Sequence, residues 1–366
     1  MSSHLTPIAD LSELDLGRWR ELAARALEPN PFFEPDFVLP AAQRLDAVAV
    51  GLLVVTGPGG DWLACLPVTS VTRWRRLPVA ALAAWRHIYG FLGTPLVTGD
   101  NPEETLAQLV GAALDDAPRK RILVLDWLRA DGPLAAPLES VLEDRPGRHV
   151  TFEEFERAAL ERRPVGDYVE ETKRPHHRRE LKRLGRRLAE EMDAPLEVRD
   201  VSTDPAMVDK FMELEASGWK GERGTAFAQV PGHDDFFREL TDKFRAQGRL
   251  QLLALAAGDR TAALKCNLLA GDEVFCFKIA FDDSLKRFSP GVQLEERMVS
   301  VFHDEMTQQR MDSCAAPDNT MINRLWPDRR PLVSYAIPTA GATGWASVRG
   351  VEAAFQVHNR LRRAAP

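Results

Sequence analysis

Two long stretches of this 366-residue chain carry hydrophobic patterns in the same order. In the first, residues 16–27 place Leu16, Trp19, Leu22, Ala23 and Ala26 on one helical face, and residues 35–45 read as a second helix with Pro35 and Asp36 in its first turn. Strand-like runs at 47–56 and 62–69 are divided by Gly57-Pro58-Gly59-Gly60. A helix at 102–114 and a buried strand at 121–127 follow. The second stretch opens with a strand at 196–201 and a helix capped by Asp204, with Pro205 at its first position, running to Ser217. Another helix (233–247), three strands (250–256, 261–269, 274–281), a long helix (290–309) and a short strand (311–314) complete it. Helix, helix, antiparallel meander, helix, strand thus occurs twice, which predicts an internal duplication in an α/β chain with a mixed (α+β) sheet. The expected divisions are a first domain at 1–165, a basic helical linker at 166–195, a second domain at 196–345 and a C-terminal helix at 346–366.

A composition of 45% apolar and 28% charged residues suits domains with proper cores. The net charge of −7 makes a general polyanion binder unexpected, so any basic site must be local and nucleic acid is not an expected partner. Residues 77–84 are the most apolar window and too short to span a bilayer. Residues 1–10 lack a basic segment followed by an apolar run. Cys65, Cys266, Cys276 and Cys314 are scattered with no ligand spacing, which fits core thiols in a reducing cytoplasm and predicts no metal.

Residues 274–292, VFCFKIAFDDSLKRFSPGV, carry the most chemistry. A strand ends at Phe281, a short polar loop follows, and Ser289-Pro290-Gly291 opens a helix. Ser289 can cap, Pro290 loses no hydrogen bond at the first turn, and Gly291 lets a ligand approach the amides. Free N–H groups at the positive end of a helix, beside Lys286 and Arg287, make an anion site of the kind a pyrophosphate needs.

The string FKIAFDDSLKRFSPGVQL, preceded by a hairpin and followed by a strand with Asp312, resembles the acyl-CoA motif of the GNAT superfamily, and more narrowly the FemAB-like, CelD-like acetyltransferases. LEASGWKGERGTAF (214–227), DSCAAPDNTMINRLWPDRR (312–330) and NPFFEPDF (30–37) resemble the same group, so the likeness covers roughly residues 15 to 340. It implies two tandem GNAT-like domains, with acyl-CoA bound only by the second. The strand Lys278, Ile279, Ala280, Phe281 would splay from its neighbour and bond the pantetheine arm. Lys286, Arg287, Ser289, Gly291 and Val292 would hold the pyrophosphate. The spacing departs from the usual Gln/Arg-x-x-Gly-x-Gly/Ala form, being one residue longer from Arg287 to Gly291 and carrying Pro290 at a flexible position. In the first half the matching residues 89–95 have no basic loop and no Ser-Pro-Gly start, so that half is expected to shape the acceptor cleft.

Gly271-Asp272 reads as a two-residue hairpin turn. That register sets Ala270 against Glu273, Asn267 against Cys276 and Lys265 against Lys278. Two facing lysines are unfavourable unless compensated, either by snorkelling and nearby acids or by an anion in the cleft.

Amide formation needs a neutral amine, a polarised thioester carbonyl and both within reach. Candidate bases are Glu215, Asp312 and His303, with Glu215 preferred. Trp219, Lys220, Lys265, Asn267, Asn319, Arg324 and Trp326 are candidate acceptor contacts. Residues 173–187 hold eight Lys/Arg, with Leu181, Leu184 and Leu188 at helical spacing. This segment is either a linker helix with a solvated basic face or a contact for an anionic acceptor: a nucleotide-sugar, a membrane surface or tRNA.

The resulting expectation is a cytoplasmic N-acyltransferase, in peripheral contact with the inner membrane, using acetyl-CoA or long-chain acyl-CoA. Its acceptor is an amine of a cell-envelope glycan or lipid precursor, such as an amino sugar of exopolysaccharide or a sphingoid base. The alternatives are a FemAB-type transferase using aminoacyl-tRNA and a non-catalytic scaffold. The first is disfavoured by the absence of a long heptad insertion, the second by the intact 286–291 loop.

Overall fold

The computed structural model describes residues 1–45, 48–75, 77–115, 121–145, 148–163, 175–339 and 341–364, with the side chains of 175–178, 219–220 and 357–364 outside the described set. The chain forms two compact units: residues 1–42, 46–156 and 331–366, and residues 43–45 with 157–330. Both are discontinuous in sequence, where the patterns suggested consecutive segments.

In the first unit, β1 (Ser2–Pro7), α1 (Glu13–Ala24) and α2 (Pro35–Arg44) precede β2 (Val50–Thr56), β3 (Trp62–Val71) and β4 (Ala81–Ala84). The two-residue β5 (Leu96–Val97) pairs with β3, and α3 (Pro102–Asp115), β6 (Ile122–Arg129) and α4 (Ala135–Glu143) complete the half. A capping box starts α1, with Ser12 accepting from Asp15 N and Asp15 receiving the Ser12 amide. Helix α1 therefore begins three residues before the expected residue 16.

Strand β7 (Val150–Glu161) ends this half. It is followed by the basic helix α5 (Pro175–Glu191). Lys173 and Arg174 of the basic run, and 166–174 of the expected linker, lie outside the described residues. The second half is β8 (Glu197–Asp200), α6 (Ala206–Ser217), the one-turn α7 (Trp219–Glu222), α8 (His233–Ala246), β9 (Leu250–Ala257), β10 (Arg260–Ala270), β11 (Glu273–Phe281), α9 (Pro290–Asp304), β12 (Arg310–Asp312), α10 (Thr320–Leu325), β13 (Asp328–Pro338) and α11 (Ala342–Ala364). Asp204 accepts from Ala206 N at 2.9 Å, satisfying an orphan donor at the start of α6 as its sequence suggested.

The duplication is visible in the strand pairing. In the first unit β1, β2, β3 and β4 pair antiparallel in turn, β4 pairs parallel with β6, and β6 pairs antiparallel with β13. In the second, β8, β9, β10 and β11 pair antiparallel, β11 pairs parallel with β12, and β12 pairs antiparallel with β7. Each half thus supplies the sixth strand of the other unit. That exchange is why 157–161 pack with the second unit and 331–338 with the first.

The hairpin register is kept from Ala270↔Glu273 to Asn267↔Cys276 and then shifts. A β-bulge at Phe277 sets Cys266 opposite Lys278 and Lys265 opposite Ile279. The expected Lys265–Lys278 pairing is therefore corrected: one extra residue sends the two ammonium groups to opposite faces of the sheet. Helix α9 stops at Asp304 rather than at residue 309.

Candidate functional site

Strand β11 pairs with β12 only from Glu273 to Phe275. Beyond that point β11 runs on to Phe281 while β12 ends at Asp312, leaving the backbone of Lys278, Ile279, Ala280 and Phe281 without a β12 partner among the described residues.

This unpaired end of β11 leads into the 282–289 loop. The Asp282 carboxylate accepts from Ser284 N at 2.9 Å and starts a 3-10 turn, Asp283–Phe288, anchored by buried Leu285 and Phe288. Ser289 then adopts a left-handed conformation (φ 53°, ψ 54°), and its hydroxyl makes no cap bond, which corrects the capping role expected for it. Its carbonyl instead accepts from Gln293 N at 3.0 Å, the first bond of α9. Pro290 has no N–H, so the first-turn amides of Gly291 and Val292 lack an in-helix acceptor. A Cβ on Gly291 would sit 3.4 Å from Phe281 and 3.7 Å from Ile279, so this turn borders the splayed half of β11. Exposed Lys286 bonds Asp283 at 2.8 Å, and exposed Arg287 bonds Glu191 of α5 at 2.5 Å. The predicted cofactor residues thus form one strand–loop–helix segment offering a strand edge, two amides and two cations to an anionic, extended ligand.

On one face of β11, Glu215 near the end of α6 is buried and accepts from Phe227 N at 2.8 Å, while the Lys278 ammonium lies 5.2 Å from the Phe227 ring centroid. Phe227 stacks on Phe237 of α8 with centroids 4.6 Å apart, fixing this corner. Glu215 and Lys278 are therefore brought to the same place. The backbone of Trp219 and Lys220 forms α7, and their side chains lie outside the described residues.

The opposite face buries a different set. The Lys265 ammonium bonds Glu295 of α9 at 2.6 Å and lies 5.8 Å from the Trp326 ring centroid. Burial works against the charged lysine, but Cys276 and Glu295 hold its pKa above the ordinary lysine value. Burial pushes the Cys276 thiol up to about 12, so at neutral pH Glu295 is the acting counter-charge. Asn267 donates to Gln251 at 2.8 Å. Lys265, Asn267 and Trp326 are core groups here, fully enclosed, and this corrects their expected contact with an acceptor. Asn319 caps α10 by accepting from Ile322 N at 3.2 Å, and Arg324 is exposed.

Two of the candidate bases are occupied or remote. Asp312 is fully buried between Arg157 (2.6 Å) and Arg330 (2.7 Å) and also accepts from Cys314 N at 2.9 Å. Burial would raise its carboxyl, but the two guanidiniums outweigh it and hold the pKa below the usual carboxylate value. Such a group is a poor proton acceptor. The Glu273–Arg330–Asp312–Arg157 chain escaped the sequence reading because its members lie on β11, β13, β12 and β7, joined only by tertiary pairing. His303 sits twelve residues beyond Gly291 on α9, roughly 18 Å along the helix axis. Burial and the nearby Arg162 lower its pKa.

Residues 175–317 match the acetyltransferase (GNAT) domain family. Similar solved structures include FemX (11% identity, TM-score 0.58, covering 92% of this chain and 97% of that one). L-PGS from Bacillus licheniformis is also similar (10% identity, TM-score 0.53, 93% and 97% covered). So is the C-terminal domain of a putative lysylphosphatidylglycerol synthetase from Agrobacterium fabrum (13% identity, TM-score 0.53, 92% and 95% covered). At these identities the likeness is one of fold. No curated protein matches the sequence. No helix among the described residues is long and apolar enough to cross a membrane.

Proposed function

We propose that this chain, a FemAB-like GNAT acyltransferase with tandem halves, takes its acyl group from coenzyme A and passes it to an amine of a cell-envelope glycan or lipid precursor. The observation that carries the donor assignment is the unpaired end of β11 beyond its short pairing with β12, joined by the 282–289 loop to the Gly291–Val292 turn. An extended pantetheine arm can complete the unpaired edge of Lys278–Phe281 as an added strand would, and the pyrophosphate falls at the helix N-terminus between Lys286 and Arg287. Backbone N–H groups of the bulged strand, fixed before the ligand arrives, stabilise negative charge growing on the thioester oxygen.

Glu215 is the group best placed to act on the acceptor amine, directly or through a water. It shares the Phe227 corner with Lys278, on the face of β11 away from the buried Lys265–Glu295 pair. Asp312 is withdrawn as a base because two guanidiniums hold its charge, and His303 because it lies a helix length away. The acceptor class draws support from the fold shared with a domain of a putative lysylphosphatidylglycerol synthetase, a protein named for a phospholipid product.

Release of free CoA thiol from acetyl-CoA and from palmitoyl-CoA, with glucosamine or sphingosine as acceptor, tests this reading. Acceptor-dependent release from either donor supports it and identifies the acyl class. Amide formation from aminoacyl-tRNA, with no thiol released from either CoA thioester, would replace it with the aminoacyl reading.

A further inference from the structure

Helix α5 is held on the second unit by a close seam with α9. Leu181 and Leu188 are buried in the unit's core. Gly185 allows the approach, since a Cβ there would lie 3.2 Å from the Gln293 side-chain oxygen. Gln293 closes the seam by donating to the Leu181 carbonyl at 2.9 Å. This explains a glycine in mid-helix, where it costs about 1 kcal/mol against alanine.

Above the seam opens a groove of about 920 Å³, between α5 and the first two turns of α9. Arg179, Lys182, Arg183 and Arg186 line it from α5, and Arg297 from α9, against the single acid Glu296. Arg183 is engaged by Glu180 at 2.5 Å. Among the described residues no carboxylate lies within ion-pair distance of Arg179, Lys182 or Arg186, and the Arg297 Nε is buried without a partner. Uncompensated positive charge in a concave site, on a chain of net charge −7, marks a place for a multiply charged anion. Helix α5 also touches the 282–289 loop, through Glu191 and Arg287. The groove and the candidate pyrophosphate turn are thus two parts of one surface, with Gln293 in the first turn of α9 lying beside both.

We infer that this groove receives the 3′-phosphorylated adenosine end of the acyl-CoA donor, so that the basic helix preceding the GNAT core is part of the nucleotide site. The inference rests on the donor proposed above. A ribose 3′-phosphate carries two negative charges, and hydrogen bonds to guanidinium and ammonium groups are the strong class.

The test is calorimetric titration of the full chain with acetyl-CoA and with 3′-dephospho-acetyl-CoA, in the wild type and in a K182A/R186A double variant, whose changes lie on the exposed side of α5. The wild type is expected to prefer acetyl-CoA by roughly tenfold to a hundredfold. The variant should bind both ligands alike, at the wild type's dephospho affinity, and the wild-type preference should shrink in 1 M salt. If the wild type binds both equally, or the variant keeps the full preference, the groove assignment falls while the CoA reading stands. If the wild type binds neither ligand, both fall together. A variant that loses both ligands equally while unfolding at the wild-type denaturant midpoint would also overturn the assignment, because a general loss is not a 3′-phosphate contact.

Discussion

Lys265 and Glu295 meet at 2.6 Å in the interior of the second unit, on the face of β11 away from Glu215. Separating one partner leaves a buried charge alone, which costs about 3–5 kcal/mol. K265M and E295Q should each lower the unfolding free energy by that amount in urea titrations. The double variant K265M/E295L should lose far less than the sum, because the apolar pair leaves no unpaired charge. Additive losses would show that the two residues act independently.

Only half of that arrangement was legible in the sequence. Gly271-Asp272 gave the correct pairing as far as Asn267↔Cys276, because a two-residue turn fixes register locally. The bulge at Phe277 has no local signature, so the faces of Lys278–Phe281 were inverted; Lys265 keeps the face it shares with Asn267, and what the sequence hid is that α9 covers that face. Trp326 failed for a related reason: an aromatic beside arginines reads as a loop contact, and only the packing of α10 on α9 shows it enclosed. The 286–292 loop was readable because Ser-Pro-Gly after a basic turn is local chemistry. The exchanged strands β7 and β13 were not, since nothing in the composition of a strand names its partner.

The first unit contains a pH-sensitive group. His87 is buried beside Phe37 and Trp85, its Nδ1 accepts from Tyr89 N at 3.1 Å, and burial together with Arg86 lowers its pKa to about 3. A depressed folded pKa stabilises the native state above the unfolded value near 6.5, and that stability is lost as pH falls toward 3. Between pH 7 and pH 4 the loss should be on the order of 3 kcal/mol. H87Q, which keeps an acceptor but does not titrate, should lack this part of the pH dependence. An unchanged slope in the variant would assign the acid sensitivity elsewhere.

Residues 89–95, the first unit's counterpart of the phosphate loop, are fixed by close backbone contact. Gly93 N donates to the Trp127 carbonyl at 3.0 Å, and a Cβ on Gly93 would lie 1.9 Å from the Asp126 carbonyl oxygen. G93A therefore requires the backbone to move and should cost at least about 2 kcal/mol by thermal or urea unfolding. A variant as stable as the wild type would mean that the loop yields readily.

At the Phe227 corner, E215Q should lower kcat by about a hundredfold while leaving the Kd for acetyl-CoA within twofold, since the change removes a proton acceptor and spares the CoA-binding segment. Equal losses in binding and turnover would point to a structural role for the Glu215–Phe227 bond.

Donor binding is assigned to the Lys286–Val292 turn. Titration of acetyl-CoA into the wild type and into R287E, with urea midpoints recorded in parallel, addresses it directly. The wild type should bind acetyl-CoA saturably. R287E, where a carboxylate faces the pyrophosphate, should lose at least tenfold in affinity, with stability lowered by no more than about 1 kcal/mol through loss of the exposed Glu191 pair. Absence of binding by the wild type at millimolar acetyl-CoA, or wild-type affinity in R287E, would contradict it.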